Sequence, residues 1–395
     1  MLGTLAVQMQ VVAIGWQVYE LTNRPLDLGW VGLAQFLPMA LLAIPAGQVA
    51  DRYDRGRVFT GALAGSIAVS ALLAAGAAAH LGVVPILAAA ALAGSARAFQ
   101  MPSARPMVAS LLPGESLPRA VAWSGSAWQF AAVAGPALGG LMYDRIGPTG
   151  VYVVAGFFGV CATLLAATIR VPKAPPRGAA QWSDLLEGVR FVARSPILLG
   201  AMALDLCAVL LGGATALLPV FARDVLHAGP IGLGALRASP ALGAVLVALA
   251  LARWPIERHA GRVMLLAVAV FGVATITFGT SASVFAAVVS LIVAGGADMV
   301  SVVIRGTLLQ VHTPEAMRGR VTAVNLVFVG ASNELGEWES GTLAYLVGPV
   351  WAVALGGIGT LGVVALWWGV FPTLRRVDRM DERAPVPDTA NDGGT

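Results

Sequence analysis

The sequence predicts an all-α membrane protein of twelve spanning helices, arranged as two six-helix halves related by a pseudo-two-fold axis. Composition is the first reason: over 395 residues, 57% are hydrophobic and 12% charged, whereas a soluble domain carries about 25% charged residues. The second is the regular recurrence of apolar stretches long enough to cross a bilayer, about 20 residues each. The third is an internal repeat. Pro25, Leu28 and Gly29 correspond to Pro230, Leu233 and Gly234, and Arg57-Val58 to Arg262-Val263, at an offset of 205. Near an offset of 201, Pro113 corresponds to Pro314, Arg97 to Asp298, and Gly139-Gly140 to Ser340-Gly341. A polytopic chain of two like halves reads as a transporter with its substrate path between the halves, near the bilayer midplane.

Taken in order, the spans fall near 2–21, 28–50, 58–79, 84–103, 120–142 and 149–170, then 196–221, 231–253, 262–280, 284–308, 321–346 and 350–372. The first apolar stretch, Leu5 to Tyr19, has no basic run before it and continues toward Arg24, so it reads as a span and not a cleavable signal. Span 7 has residues Pro196 to Asp205 ahead of the position equivalent to Met1, which predicts a short basic segment and further helical turns before Met1. The 47 glycines and 23 prolines are tolerated in spans because neighbouring helices re-satisfy the backbone. Val171–Arg194 is the longest polar stretch and opens with Pro172, Pro175 and Pro176. It divides the chain into an N-terminal half (1–172), a linker (173–195) and a C-terminal half (196–372). The charged tail, 373–395, is expected to be disordered. Cys161 and Cys207 lie in apolar stretches without CxxC spacing and read as buried small hydrophobes.

Arginine placement sets the orientation. With the Asp51–Arg57 loop in the cytoplasm, that side collects nineteen Lys and Arg residues, among them Arg105, Arg119, Lys173, Arg318 and Arg320. The outer loops keep three, Arg24, Arg145 and Arg223. This asymmetry places both termini in the cytoplasm and the protein in the cell inner membrane. It also accounts for the pI near 9.5, so nucleic acid is not an expected partner.

The loop Gly47-Gln-Val-Ala-Asp51-Arg52-Tyr-Asp-Arg55-Gly-Arg57 resembles the G-xxx-D-R-x-G-R-R loop of the major facilitator superfamily. Asp54 stands where that pattern has Gly, and Gly56 where it has a basic residue. Gly47 is expected to let span 2 approach its neighbour, and Asp51 to take a charge-assisted bond. The resemblance implies that Gly47, Asp51, Arg52, Arg55 and Arg57 latch the cytoplasmic side of the outward-open state. Gly135-Pro136-Ala-Leu-Gly139-Gly140 resembles the antiporter motif of exporters in the superfamily, a smooth stripe for close helix contact. Arg97-Ala-Phe-Gln100 is similar to its R-xx-Q-G motif, with Met101 in place of Gly. With Thr313–Arg320 and Ser332–Gly341, the chain is similar to the branch containing the enterobactin exporter. The implied fold is the major facilitator fold.

Charges placed in lipid are the functional candidates, since a central Asp or Arg costs about 2.5–3.5 kcal/mol on insertion scales. They are Arg97, Asp205, Asp298, Arg305, Glu334, Glu337 and Glu339. In the superfamily, spans 1, 4, 7 and 10 line the cavity, which would turn Gln8, Gln10, Gln17, Arg97, Asp205 and Asp298 inward. Arg97 and Asp298 are repeat-equivalent; a cross-cavity ion pair and two independent sites both satisfy this. Arg305, near the cytoplasmic end, is expected to snorkel. Glu334 and Glu337 are three apart and share a face with Asn333 nearby, while Glu339 points away. Two carboxylates on one low-dielectric face do not both ionise easily, as proton coupling requires. Permanent structural pairing is the alternative. Trp16, Trp123, Trp128, Trp338, Trp367 and Trp368 offer stacking faces or interface anchors, with Trp367-Trp368 read as an interface pair. The histidines match no metal spacing, no phosphate loop occurs, and no nucleophile, base and metal converge, so neither a cofactor nor an enzyme is expected. The reading is a monomeric proton antiporter exporting a small amphipathic molecule, siderophore- or drug-like. An uncoupled facilitator or importer of the same fold and a non-transporting receptor or scaffold are the alternatives.

Overall fold

The structure is a computed structural model that describes residues 1–111, 116–169 and 182–379; these form helices and no strand. The helices are α1 (Leu2–Thr22), α2 (Pro25–Arg52), α3 (Arg55–Ala78), α4 (Val83–Leu111), α5 (Leu117–Ala167), α6 (Trp182–Arg194) and α7 (Pro196–Gly212). A 3₁₀ turn follows, then α8 (Leu218–Val220), a π turn (Phe221–Val225), α9 (Gly229–Arg253), α10 (Ala260–Gly279), α11 (Val284–Val311), α12 (Arg318–Val347), α13 (Pro349–Val370) and α14 (Pro372–Arg375). Among the described residues, nine helical stretches are long and apolar enough to cross a membrane. One of these is α5, whose 51 residues are broken at Gly147, φ 67°, ahead of Pro148; the two parts are the expected spans 5 and 6. Adding α1, which carries Gln8, Gln10, Gln17 and Glu20, and α12, which carries Arg318, Arg320 and three glutamates, gives the twelve spans.

One expectation changes at the ends of the second half, that of a disordered tail. The linker carries α6, an amphipathic helix lying against α12, with Glu187 bonded to Arg320 at 3.0 Å and Gly188 against the Arg320 carbonyl. Residues 173–181 of it lie outside the described residues, as do Pro113 and 380–395. The tail begins ordered, because the Asp378 carboxylate accepts from the His259 backbone N–H at 3.0 Å and lies 3.8 Å from Arg258. It thereby supplies acceptor and charge at the N-terminus of α10.

The repeat in the sequence marks where helices cross. A Cβ on Gly140 of α5 would stand 2.4 Å from the Pro230 carbonyl and 3.0 Å from Gly234 of α9. At the equivalent place, a Cβ on Gly341 of α12 would stand 3.0 Å from the Pro25 carbonyl and 3.4 Å from Gly29 of α2. Both crossings join one half to the other. Within the halves the same symmetry holds: Gly94 of α4 sits on the Gln35 carbonyl and Gly295 of α11 on that of Pro240. Apolar side chains gain little from packing against each other in lipid, so close backbone approach at small residues carries helix association. The expectation for Gly47 is not met. A Cβ there would meet nothing within 4 Å, because the halves diverge at the end that carries it.

At the other end the halves meet in one apolar plug, with Trp16, Tyr19 and Leu28 of the first half packed with Leu217, Phe221 and Phe278 of the second. A polar clasp crosses it. The Tyr19 hydroxyl donates to Asp224 across a separation of 205 residues, so repeat-equivalent positions touch near the pseudo-dyad. Arg223 donates to the Tyr19 carbonyl at 3.1 Å and stands 5.4 Å from its ring centroid.

Two outcomes test this packing. Gly140→Ala should lower the melting temperature of the purified protein, because the atoms a Cβ would strike belong to the α9 backbone. Gly362→Ala, with nothing within 4 Å, should hold or raise it, since Ala favours helix over Gly by about 1 kcal/mol in water. In a variant with Cys161 and Cys207 replaced by Ser and a cysteine placed at Ile14, Tyr19→Phe should speed labelling by an impermeant maleimide from the plugged face. Unchanged labelling would mean that the apolar plug alone keeps that end shut.

Candidate functional site

Between the halves lies a cavity of about 840 Å³, within the range of small-molecule sites. Its lining includes Met1–Thr4, Phe59, Leu165 and Ile169, so it opens at the end carrying the Arg52–Arg57 loop and stops at the plug. The walls are mostly apolar, and the polar groups are few and convergent.

Four charges meet there: Glu334 and Glu337 of α12, Arg97 of α4 and Arg237 of α9. Both arginines interact electrostatically with both carboxylates. The α12 backbone explains the pairing, since residues three apart project from one face. Gly32 of α2 makes room for them: a Cβ there would stand 2.9 Å from a Glu337 carboxylate oxygen and 3.4 Å from one of Glu334. Thr215 donates a further hydrogen bond to Glu337. When all four groups are ionised the cluster is neutral, with acids on one half and a guanidinium from each half.

Of the uncharged residues expected inside, Gln8, Gln10 and Asn333 line the cavity, joined by Gln35 and Gln100. Gln10 also donates to Ser70 at 2.7 Å. Gln17 does not reach the cavity; it is buried and accepts from the Tyr152 hydroxyl at 2.7 Å. Of the tryptophans named, Trp128 lines the cavity. Trp16 packs edge-on against Tyr143, and Trp367 is buried and donates to the Gly200 carbonyl at 2.9 Å, which makes it a core residue. Its neighbour Trp368 remains half exposed, under Arg375. Cys161 and Cys207 are free and half-buried, less enclosed than expected.

The second-half acids depart most from expectation. Asp205 and Asp298 do not line the cavity; both line a separate small void inside the C-terminal half. Arg305 does not snorkel. It is 6% exposed and ion-paired with Asp205, itself 5% exposed. The two side chains point into the same bundle from α7 and α11, and burying either alone would leave an uncompensated charge. Arg97 therefore faces the α12 carboxylates and not its repeat partner Asp298. The charged lining comes from spans 4, 8 and 11, with span 10 contributing none of the cavity residues.

Arg237 was not among the sequence candidates. Its signal was present, an arginine mid-way along an apolar span between Leu236 and Ala238, by the same rule that singled out Arg97. Gly32 carried no signal until its neighbour was known. In the motif regions, Gly135, Gly139 and Gly140 do form a contact stripe. A Cβ on Gly135 would meet Gln8 and one on Gly139 the Met9 backbone, both of α1, while Gly140 meets α9. Pro136 offers its carbonyl to Gly234. Of the loop motif, Arg52 is exposed and Asp54 caps α3 by accepting from the Arg57 N–H at 2.9 Å; the Asp51 side chain lies outside the described residues.

Comparisons with known proteins agree with this architecture. The chain is 29% identical over 286 residues to the enterobactin exporter EntS of Escherichia coli O157:H7, covering 72% of this chain and 67% of that protein. It is 28% identical over 388 residues to the multidrug efflux pump Tap of Mycolicibacterium fortuitum, covering 93% and 92%. Among solved structures, a bacterial homolog of the human lysosomal transporter Spinster, inward-facing and occupied, superposes with a TM-score of 0.70 at 16% identity, covering 98% of each chain. A D-xylose–proton symporter gives a TM-score of 0.72 at 12% identity, covering 94% and 96%. The Major Facilitator Superfamily model matches residues 1–337, and the chain, a multi-pass membrane protein, belongs to that family of transporters.

Proposed function

We propose that this chain is a secondary active exporter of a small amphipathic molecule, siderophore- or drug-like, coupled to inward proton flow by alternating access. The observation that carries the reading is the pair Glu334 and Glu337 facing Arg97 and Arg237 in the cavity between the halves. A substrate group that donates hydrogen bonds or carries positive charge competes with the proton for the same carboxylate lone pairs. Binding one expels the other, and that competition is the requirement for antiport. When a proton sits on a carboxylate, a guanidinium loses part of its partner and the cluster gains one positive charge. Gln8, Gln10 and Asn333 would orient the substrate, and Trp128 offers an aromatic face.

The export direction is supported by the names of the two relatives above, an exporter and an efflux pump. The basic loops favour cytoplasmic termini in the inner membrane, which makes the described state open to the cytoplasm. The halves 1–172 and 196–372 would then rock as bodies about the α2/α12 and α5/α9 crossings, joined through 173–195. The clasp at Tyr19 and Asp224 would part as the Asp51–Arg57 loop latches the opposite end.

Two substitutions test the reading in proteoliposomes. Glu337→Gln should abolish uphill export driven by a pH gradient, while downhill exchange stays within about tenfold of wild type, a change of about 1.4 kcal/mol in barrier. A near-silent Glu337→Gln with a damaging Glu337→Ala would instead mark a structural residue. Asp51→Asn should keep expression and impair transport, since the charge it removes belongs to the latched state. Full transport at matched expression would reduce the loop to a topological signal.

A further inference from the structure

We infer that the void inside the C-terminal half, apart from the transport cavity, is a binding site for one small monovalent cation. It is lined by Asp205 and Ala208 of α7, Val268 and Phe271 of α10, and Ala297, Asp298 and Ser301 of α11. Its volume is about 10 Å³, at the lower limit of what admits one water. Ser301 is 2% exposed, and its hydroxyl has no hydrogen-bond partner. A buried hydroxyl beside a water-sized void marks a missing guest, because buried polar groups are otherwise paired.

Charge identifies the guest. Asp205 is neutralised by Arg305, whereas no ion pair reaches Asp298 among the described residues. An ionised Asp298 would therefore leave one net negative charge uncompensated in the helical bundle unless a guest is bound. The other packed elements add no compensation: α10 supplies Val268 and Phe271 while its Arg262 is exposed, and of the charges on α9 Arg237 faces the transport cavity and Arg253 is exposed in the last turn. One positive charge of water-like size closes the deficit. Two carboxylates and a hydroxyl form a hard oxygen donor set, and a divalent ion would overshoot the charge and demand more ligands. The guest is a sodium ion or a proton held with a water; both place a single positive charge on Asp298.

The test uses the purified full-length protein. Its melting temperature is followed as sodium replaces choline at constant ionic strength, and separately as pH falls from about 8 to about 5 without sodium. The site requires that wild type be stabilised in at least one arm, and that Asp298→Asn lose that part of the response. A response to sodium identifies the ion; a response to pH alone identifies the proton. Ser301→Ala should shift the response to higher sodium or lower pH without removing it. Glu337→Gln should keep it, which separates this pocket from the transport cavity. Should Asp298→Asn fail to fold, equilibrium dialysis of wild type with radioactive sodium and the pH response of Ser301→Ala decide the matter. No response in either arm, or one that Asp298→Asn and Ser301→Ala leave intact, overturns the inference.

Discussion

The structure depends on close backbone approach at glycines where helices of the two halves cross. Hydrocarbon lipid removes most of the hydrophobic drive between helices, leaving packing and interhelical hydrogen bonds to hold the bundle. The α5/α9 crossing brings Gly140 onto the Pro230 carbonyl, and the α2/α12 crossing brings Gly341 onto that of Pro25. Both lie toward the plugged end, so the helices splay below them, and the splay is the cavity. The same geometry explains why Gly47, at the splayed end, touches nothing.

Within this symmetric frame the chemistry is asymmetric. At an offset of 205, Arg237 corresponds to Gly32, and at 201, Glu337 corresponds to Pro136. One crossing therefore combines a carboxylate with a glycine that makes room for it, and the other combines a guanidinium with a proline. The charged groups meet across the pseudo-dyad instead of being duplicated by it. On the proposed function, such a cluster, with acids on one half and a base from each, would exchange partners when the halves move. The ion pair of Asp205 and Arg305 has a different role, as it neutralises charge inside one half and does not cross between halves.

Much of the fold was legible in the sequence because a bilayer imposes a simple rule on it. Segment length and hydropathy located most spans to within a few residues, although α4 runs on to Leu111 past the expected end at 103, and residues the repeat paired stand at the crossings. Gly29 and Gly234, Gly140 and Gly341 are the residues the repeat selected. The acid pair on α12 was legible from three-residue spacing. Partnerships were not. Helices apolar on most sides carry little amphipathic signal, so rotation about their axes is undetermined. Gln17 and Asp205 are therefore expected in the cavity by resemblance alone, and Arg305 at the surface by its place near a helix end alone. Gln17 meets Tyr152, and Asp205 meets Arg305, only once tilt and rotation are known.

The central claim is that the halves rock as bodies about the glycine crossings and expose the charged cavity to each end in turn. Distances between spin labels test it most directly. One pair, at Tyr53 and Glu257, reports the splayed end, and another, at Leu81 and Ser283, reports the plugged end; all four positions are exposed and each pair spans the halves. On a Cys161→Ser and Cys207→Ser background, the account predicts opposite changes as pH is lowered: Tyr53–Glu257 shortens as Leu81–Ser283 lengthens. Changes at one end alone, or in the same direction at both, would contradict it.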